Sequence, residues 1–271
     1  MSEHFSLKGK IILMSGATGV LGSSMAKYLA QNGARILVLG RNKTKVDRLV
    51  SEIVGRNGKA FPFLADVTDE NQLKQVYTSI EKAFGKIDVL INAAGGNLPG
   101  AVIGPDQNFT DANIEELRRV MELNYLGTFI PIMVFLPLML TQNKGSILNI
   151  SSMTAQRPLT RVLGYGSAKA AIDNLTRWLA VEFCQKYGKG IRVNAIAPGF
   201  FLTEQNRALL TEQDGGLTDR GSKIIEHTPM NEFGQPEDLH GAAHWLCSDA
   251  SRFVTGTIVP VDGGFNAYSG V

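Results

Sequence analysis

The sequence predicts an α/β protein built on a doubly wound parallel sheet. Three observations carry that prediction. Short, mostly apolar runs such as Ile11–Met14, Val89–Asn92 and Ser146–Ile150 alternate with longer helical stretches, the pattern of strands buried on both faces by crossover helices. The first run leads at once into the glycine-rich segment Ser15 to Gly22 and then a helical stretch, the order of a nucleotide-binding βα unit. The chain has 271 residues, 44% hydrophobic and 19% charged, which suits a globular protein with a substantial core.

Taken in order, Ile11–Met14 is the first strand and Leu21–Asn32 the first helix. Arg35–Leu39 is the second strand, followed by a helix through Lys43–Gly55. Phe61–Ala65 and Val89–Asn92 are the third and fourth strands, with the helix Glu70–Phe84 between them. A long helix starts near Ile114, a strand covers Ser146–Ile150, a helix covers Tyr165–Tyr187, and strands follow at Arg192–Ala197 and near Thr257–Val261. Residues 1–271 read as a single domain without repeat, linker or low-complexity segment. The stretch of about 200–231 breaks the rhythm and holds Asp214-Gly215-Gly216. It reads as a small excursion over the C-terminal edge of the sheet, either a lid or an ordinary helical insertion.

A net charge of +2 is too near neutral to point to nucleic acid or an anionic membrane as partner. Met1 to Lys10 lacks the apolar region of a signal peptide. The longest apolar stretch, Phe129 to Leu140, contains Pro131 and Pro137 and falls short of the ~20 residues that span a bilayer. A helix apolar on so many sides is fully buried or covered by a partner subunit, and the partner is the favoured expectation. Cys184 and Cys247 lie far apart without metal-ligand spacing. They read as reduced, packed thiols of a cytoplasmic protein.

The chemistry concentrates in Tyr165-Gly166-Ser167-Ala168-Lys169, with Ser151-Ser152 upstream. Positions four apart share a helix face, so a phenol and an ammonium stand side by side. A fixed positive charge favours the phenolate and brings a tyrosine pKa down from ~10 toward working pH. By itself the pair is equally a tyrosine packed on a lysine stem. The glycine-rich turn adds a second function: it lets the backbone approach a pyrophosphate at a helix N-terminus. At the end of the second strand, where an acidic residue would bind the ribose 2′-hydroxyl of NAD, stands Gly40-Arg41. A guanidinium there suits a 2′-phosphate and favours NADP(H); Arg41 serves equally as a solvated residue at a helix start. No His/Cys/Asp cluster at ligand spacing is present, so no metal is expected.

Together these residues resemble the short-chain dehydrogenase/reductase family over nearly the whole chain. Its TGxxxGxG turn is matched by Ser15 to Gly22, with Gly16, Thr18, Gly19, Val20, Leu21 and Gly22 implied to face the cofactor. Val20 stands where the middle glycine is expected, with Gly19 one place early. The adenine-contacting acidic residue falls on Asp66, beside Val67, and the NNAG strand end on Asn92-Ala93-Ala94-Gly95. The relay asparagine matches Asn124, the serine Ser152, and the YxxxK Tyr165 and Lys169. Pro198-Gly199 and Thr203 match the segment that meets the nicotinamide. The resemblance implies a Rossmann-type fold, hydride transfer with NAD(P), an acid/base tyrosine, a lysine that also binds the nicotinamide ribose, and a water held by Asn124. It also implies a homodimer or homotetramer, with dimer contacts on the helices carrying Phe129–Leu140 and Trp178, and a C-terminal tail reaching a neighbouring subunit.

Arg157 to Arg161, Ala197 to Arg207 and the ending Val261 to Val271 more closely resemble the bacterial D-mannonate oxidoreductase (fructuronate reductase) branch. That branch implies hexuronate breakdown with NAD(H), against the lean of Gly40-Arg41. A sugar acid needs a carboxylate clamp and hydroxyl partners, and guanidinium forks suit carboxylates. Asn97, Arg157, Arg161, Asn206 and Arg207 are the candidates, although arginines on loops are commonly solvated or bridge subunits. The rival activity is a 3-oxoacyl-thioester or general ketone reductase of the same family. A non-catalytic NAD(P)-binding scaffold should have lost Tyr165, Lys169 or Ser152, and none is lost.

Overall fold

The computed structural model describes residues 3–203 and 207–270. Seven strands form one sheet among them: β1 Ile11–Ser15, β2 Arg35–Gly40, β3 Lys59–Leu64, β4 Val89–Asn92, β5 Gly145–Ile150, β6 Ile191–Pro198 and β7 Ile258–Val261. Their order is β3-β2-β1-β4-β5-β6-β7, and every pair is parallel. The helices α1 Val20–Gln31, α2 Lys43–Val54 and α3 Glu70–Phe84 lie between the early strands. α4 Ile114–Met121, α5 Gly127–Leu140, α6 Leu163–Tyr187, α7 Arg207–Leu210, α8 Asp219–Glu226 and α9 His240–Cys247 follow. This is the doubly wound, Rossmann-type arrangement the sequence predicts.

Alternation along the strands divides the core. Ile12, Met14, Ile36, Val38, Ile91, Leu148 and Ile196 face one side, against α1, α2 and α9. Leu13, Leu37, Leu39, Leu90, Ile147 and Val193 face the other, against α3, α5 and α6. Because both faces are covered, β1 and β6 are buried at every position, and strand periodicity disappears into continuous apolar runs.

Boundaries differ by a few residues from expectation, and three larger differences bear on the site. α9, between the lid and β7, was not anticipated; its eight residues are too few to show a clear 3.6-residue pattern. The excursion after β6 contains α7 and α8, with an antiparallel bridge between Thr211 and Leu217. The apolar stretch of α5 does not stand alone. α4, a π-turn at Glu122–Leu126 and α5 run on as one 27-residue helix, long and apolar enough to cross a membrane by length and composition. Half of its apolar window is buried. Ile132, Phe135, Leu138 and Met139 sink into the core, as in the core helix of a globular domain, while Leu126, Phe129 and Met133 stay exposed on the opposite side.

Candidate active site

The chain leaves β1 toward β2 and leaves β4 toward β5, in opposite directions, although β1 and β4 are neighbours. Such a switch point opens a crevice at the C-terminal strand ends. Ser15 and Asn92 pair at its floor, where the backbone N–H of Ala93 donates to the Ser15 carbonyl at 3.3 Å. Gly16 has φ +65°, and a Cβ on it would lie 2.3 Å from the Ala93 backbone. A Cβ on Gly22 would lie 2.2 Å from the Gly16 carbonyl oxygen. Sterics therefore demand glycine at 16 and 22. Gly19, at φ −77°, has only an ordinary contact at 3.5 Å. Val20 opens α1 at 39% exposure, clear of the crowded backbone, so the displaced glycine does not close the turn. A Cβ on Gly40 would lie 3.7 Å from the Thr18 methyl, so the turn adjoins the end of β2, and Leu21 packs on the core.

The residues at this crevice fit a dinucleotide. α2, α3, α4 and α8 have N-termini capped by the side chains of Asn42, Asp69, Asn113 and Thr218. α1 begins at Gly19 without any side-chain cap. Its first-turn N–H groups thus face the crevice with no side-chain acceptor, which is what a pyrophosphate would use. Further along, Arg41 Nη1 donates to Asp66 Oδ2 at 3.1 Å. Partial burial pushes the Asp66 carboxyl up, but donation from the Thr68 N–H and hydroxyl and the Arg41 charge outweigh it, leaving it below its usual value. Val67 packs against Gly127. Asn92 Nδ2 donates to Asn149 Oδ1 at 2.9 Å, and Ala94 lies half-buried beside it. On the far side Pro198 ends β6, Gly199 passes so close to Asp262 that a Cβ would lie 2.6 Å from it, and Thr203 is half-buried in the segment beyond.

Tyr165 and Lys169 occupy successive turns of α6, with the Lys169 ammonium 5.5 Å from the phenol ring centroid. Ser152, in the loop after β5, reaches the phenol by a side-chain hydrogen bond. Lys169 Nζ donates to the Ile150 carbonyl at 2.7 Å. Asn124 is fully buried in the π-turn. Its Oδ1 accepts from the Gly96 N–H at 3.0 Å, and its Nδ2 donates to the Gly96 carbonyl at 2.8 Å. A Cβ on Gly95 would lie 2.6 Å from Asn124 Oδ1 and 3.4 Å from Lys169 Nζ. Asn124 and Lys169 therefore meet at Gly95, and Tyr165 and Ser152 adjoin them through the Lys169 ammonium and the phenol. π-turns recur at functional sites; here one directs the Asn124 amide inward.

The electrostatics correct one expectation. Burial pushes the Tyr165 phenol up, against the hydrogen bond from Ser152. Desolvation dominates here, where the lysine charge was expected to. The same burial lowers Lys169 to about 8, and Asp173 opposes that drop. Asp173, one turn beyond Lys169, accepts a hydrogen bond from Ser151 and is 4% exposed. Burial raises its carboxyl, opposed by bonds from Ser151 and Gln156 and by Arg177 and Lys169. Asp173 was missed, although the spacing Tyr165, Lys169, Asp173 repeats every four residues along one face of α6.

The substrate candidates separate. Arg157 is engaged elsewhere: its Nε and Nη2 donate to the Asn266 carbonyl at 3.1 and 2.7 Å. Asn266 Nδ2 donates to Gln156 Oε1 at 2.5 Å. The tail around Asn266 thus packs onto the loop after β5 of its own chain. Arg161 is exposed at the rim, and its carbonyl accepts from the Ile103 N–H at 3.1 Å. Asn97 keeps a buried Oδ1 without a partner. Arg207 opens α7, exposed, and Asn206 lies outside the described residues. A cavity of about 430 Å³ between the lid and β7 is lined by Phe200, Thr228, Met230 and Asp262. Asn124, Ser152, Tyr165 and Lys169 do not line it.

A model of the short-chain dehydrogenase/reductases, described as enoyl-(acyl carrier protein) reductase, matches residues 16–266. The chain belongs to the short-chain dehydrogenase/reductase family. An uncharacterized oxidoreductase of Bacillus subtilis, UxuB, is 45% identical over 99% of both chains. A solved structure from Haemophilus influenzae with bound NAD, provisionally described as a D-mannonate oxidoreductase, is 45% identical and covers 98% of both chains at a TM-score of 0.91. A gluconate 5-dehydrogenase from Burkholderia cenocepacia, solved with NADP and tartrate, is 29% identical over 98% of both chains at a TM-score of 0.87. This short-chain dehydrogenase/reductase is accordingly an oxidoreductase acting on alcohol groups with a nicotinamide cofactor.

Proposed function

We propose that the protein interconverts a sugar-acid secondary alcohol and its ketone, with D-mannonate and D-fructuronate as the pair. The observation that carries this reading is the junction of Asn124 and Lys169 at Gly95, with Tyr165 beside Lys169, Ser152 on the phenol, and Arg161 four residues before Tyr165 in the chain. The nicotinamide, when bound, accepts the hydride in oxidation and supplies it in reduction. In oxidation the Tyr165 phenolate oxygen takes the proton of the substrate hydroxyl and becomes the phenol; in reduction the phenol gives that proton to the carbonyl oxygen and becomes the phenolate. Ser152 donates a hydrogen bond to the same oxygen, where negative charge develops. Lys169 holds its charge beside the phenol and stabilises the phenolate formed in reduction. With Tyr165 raised, the protonated phenol prevails at neutral pH and suits the reducing direction. The unpartnered Asn97 Oδ1 is an acceptor for a substrate hydroxyl.

Gly40-Arg41 supports NADP(H). The Arg41–Asp66 pair is mostly exposed on the arginine side, and such a pair is cheap to break in favour of a 2′-phosphate. The bound NAD of the Haemophilus structure keeps NAD(H) as the alternative. For assembly, the exposed apolar side chains of α5, and Trp178 and Val181 on α6, support a homodimer or a homotetramer. Two free cysteines, one buried at Cys247, suit the cytoplasm.

The test is spectrophotometric: D-fructuronate with NADH and with NADPH, following loss of reduced-cofactor absorbance. Rapid turnover supports the assignment and ranks the cofactors. Turnover confined to 3-oxoacyl thioesters or simple ketones would replace it.

A further inference from the structure

Three crossovers meet where Arg220 reaches Thr160, the chain neighbour of Arg161. The loop after β4 reaches Arg161 through the Ile103 N–H. The loop after β5 presents Thr160 and Arg161. The lid contributes α8, whose Arg220 Nη1 lies 3.4 Å from Thr160 Oγ1. Arg161 holds φ +76°, a left-handed conformation that is unfavourable for a non-glycine residue and persists where surroundings impose it. Neither guanidinium forms an ion pair with a described carboxylate, although eleven such pairs occur elsewhere. Burial lowers the Arg220 pKa, and the neighbouring charge of Arg161 lowers it further. Two like charges, one partly desolvated, are an unfavourable arrangement that an anion between them would relieve.

We propose that Arg161 and Arg220 form the carboxylate-binding subsite of the substrate pocket, one arm on the catalytic loop and the other on the lid. The subsite rests on the sugar-acid reading above and adds a residue that motif spacing did not single out. A carboxylate bridging both arms ties α8 to the loop that ends at Tyr165. The acid thus closes the rim over its own reacting carbon, four residues of chain from the phenol. Guanidinium forks bind carboxylates with two parallel donors, so a neutral substrate of the same shape lacks most of that hold.

The test compares wild type with Arg220→Ala and Arg220→Lys on D-mannonate and on D-mannonamide, its uncharged counterpart, with oxidised cofactor saturating. Wild type should prefer the acid. Arg220→Ala should raise KM for the acid about 10- to 100-fold, the loss of a charge-assisted bond, with a much smaller rise for the amide, so that the preference for acid over amide narrows. Arg220→Lys, which keeps the charge without the fork, should fall between. An unchanged preference for acid over amide in Arg220→Ala overturns the subsite. Equal losses on both substrates overturn it too, because they mark a lid that is merely misplaced. If wild type fails to oxidise D-mannonate at all, the sugar-acid reading falls first, and the subsite with it.

Discussion

Replacing Lys169 with methionine should remove one component of the pH dependence of stability. The buried ammonium has its pKa lowered from 10.5 to about 8. At ~1.4 kcal/mol per pH unit, this is about 3 kcal/mol of folding free energy. The sign follows from proton counting. Below pH 8 the lysine is charged both folded and unfolded, and the folded state bears the full desolvation penalty. Between 8 and 10.5 the folded protein releases the proton while the unfolded chain keeps it, so stability rises with pH. Above 10.5 the penalty is gone. Methionine carries no such proton, and both proteins share all other titrations. The stability of wild type relative to Lys169→Met should therefore climb by about 3 kcal/mol from pH 7 to pH 10.5, with most of the rise above pH 8. Urea unfolding of both cofactor-free proteins at half-unit steps measures it. The absolute difference at pH 7 also includes the Ile150 carbonyl left without its donor, which costs about 1–3 kcal/mol; the slope does not. A difference that stays flat across this range would refute the picture of a desolvated lysine poised beside Tyr165.

Tyr165→Phe should cut turnover by at least about 10²- to 10⁴-fold, the worth of a positioned acid/base group, while NAD(P)H fluorescence titration shows nearly unchanged binding. Arg41→Asp removes the partner of Asp66 and the candidate phosphate reader; the ratio of kcat/KM for NADPH over NADH should fall at least about tenfold. A Cβ on Gly22 would meet the Gly16 carbonyl at 2.2 Å, so Gly22→Ala should destabilise the fold by about 1–3 kcal/mol, read as a lower urea midpoint, and weaken cofactor affinity. Trp178→Asp, on a face 57% exposed at that residue, should shift the mass measured by light scattering toward the monomer with secondary structure kept.

How much could be read from the chain varies with the range of the interaction. Strands β1, β4 and β5 were legible because both faces are buried, which writes them as local apolar runs. Gly16 and Gly22 were legible as a turn, but only the structure separates them from Gly19, because the clash depends on Ala93 and on the turn's own carbonyl. α9 was not legible because eight residues give too short a period. Arg157 and Arg161 looked alike as loop arginines. The folded tail engages the first through Asn266 and leaves the second at the rim, and that distinction lies 109 residues away in the chain.

The sequence by itself determined the family and the parallel fold, and it singled out the four candidate reacting side chains, since these follow from residue type in recognisable motifs. Tertiary structure alone decided how those side chains behave. Burial set Tyr165 upward and Lys169 down to about 8, the reverse of what adjacent charge suggests for the tyrosine. The π-turn brought Asn124 to Gly95, and the lid brought Arg220 to Arg161. Desolvation and proximity are properties of the assembled surroundings, contributed by residues far apart in the chain, and no local pattern encodes them.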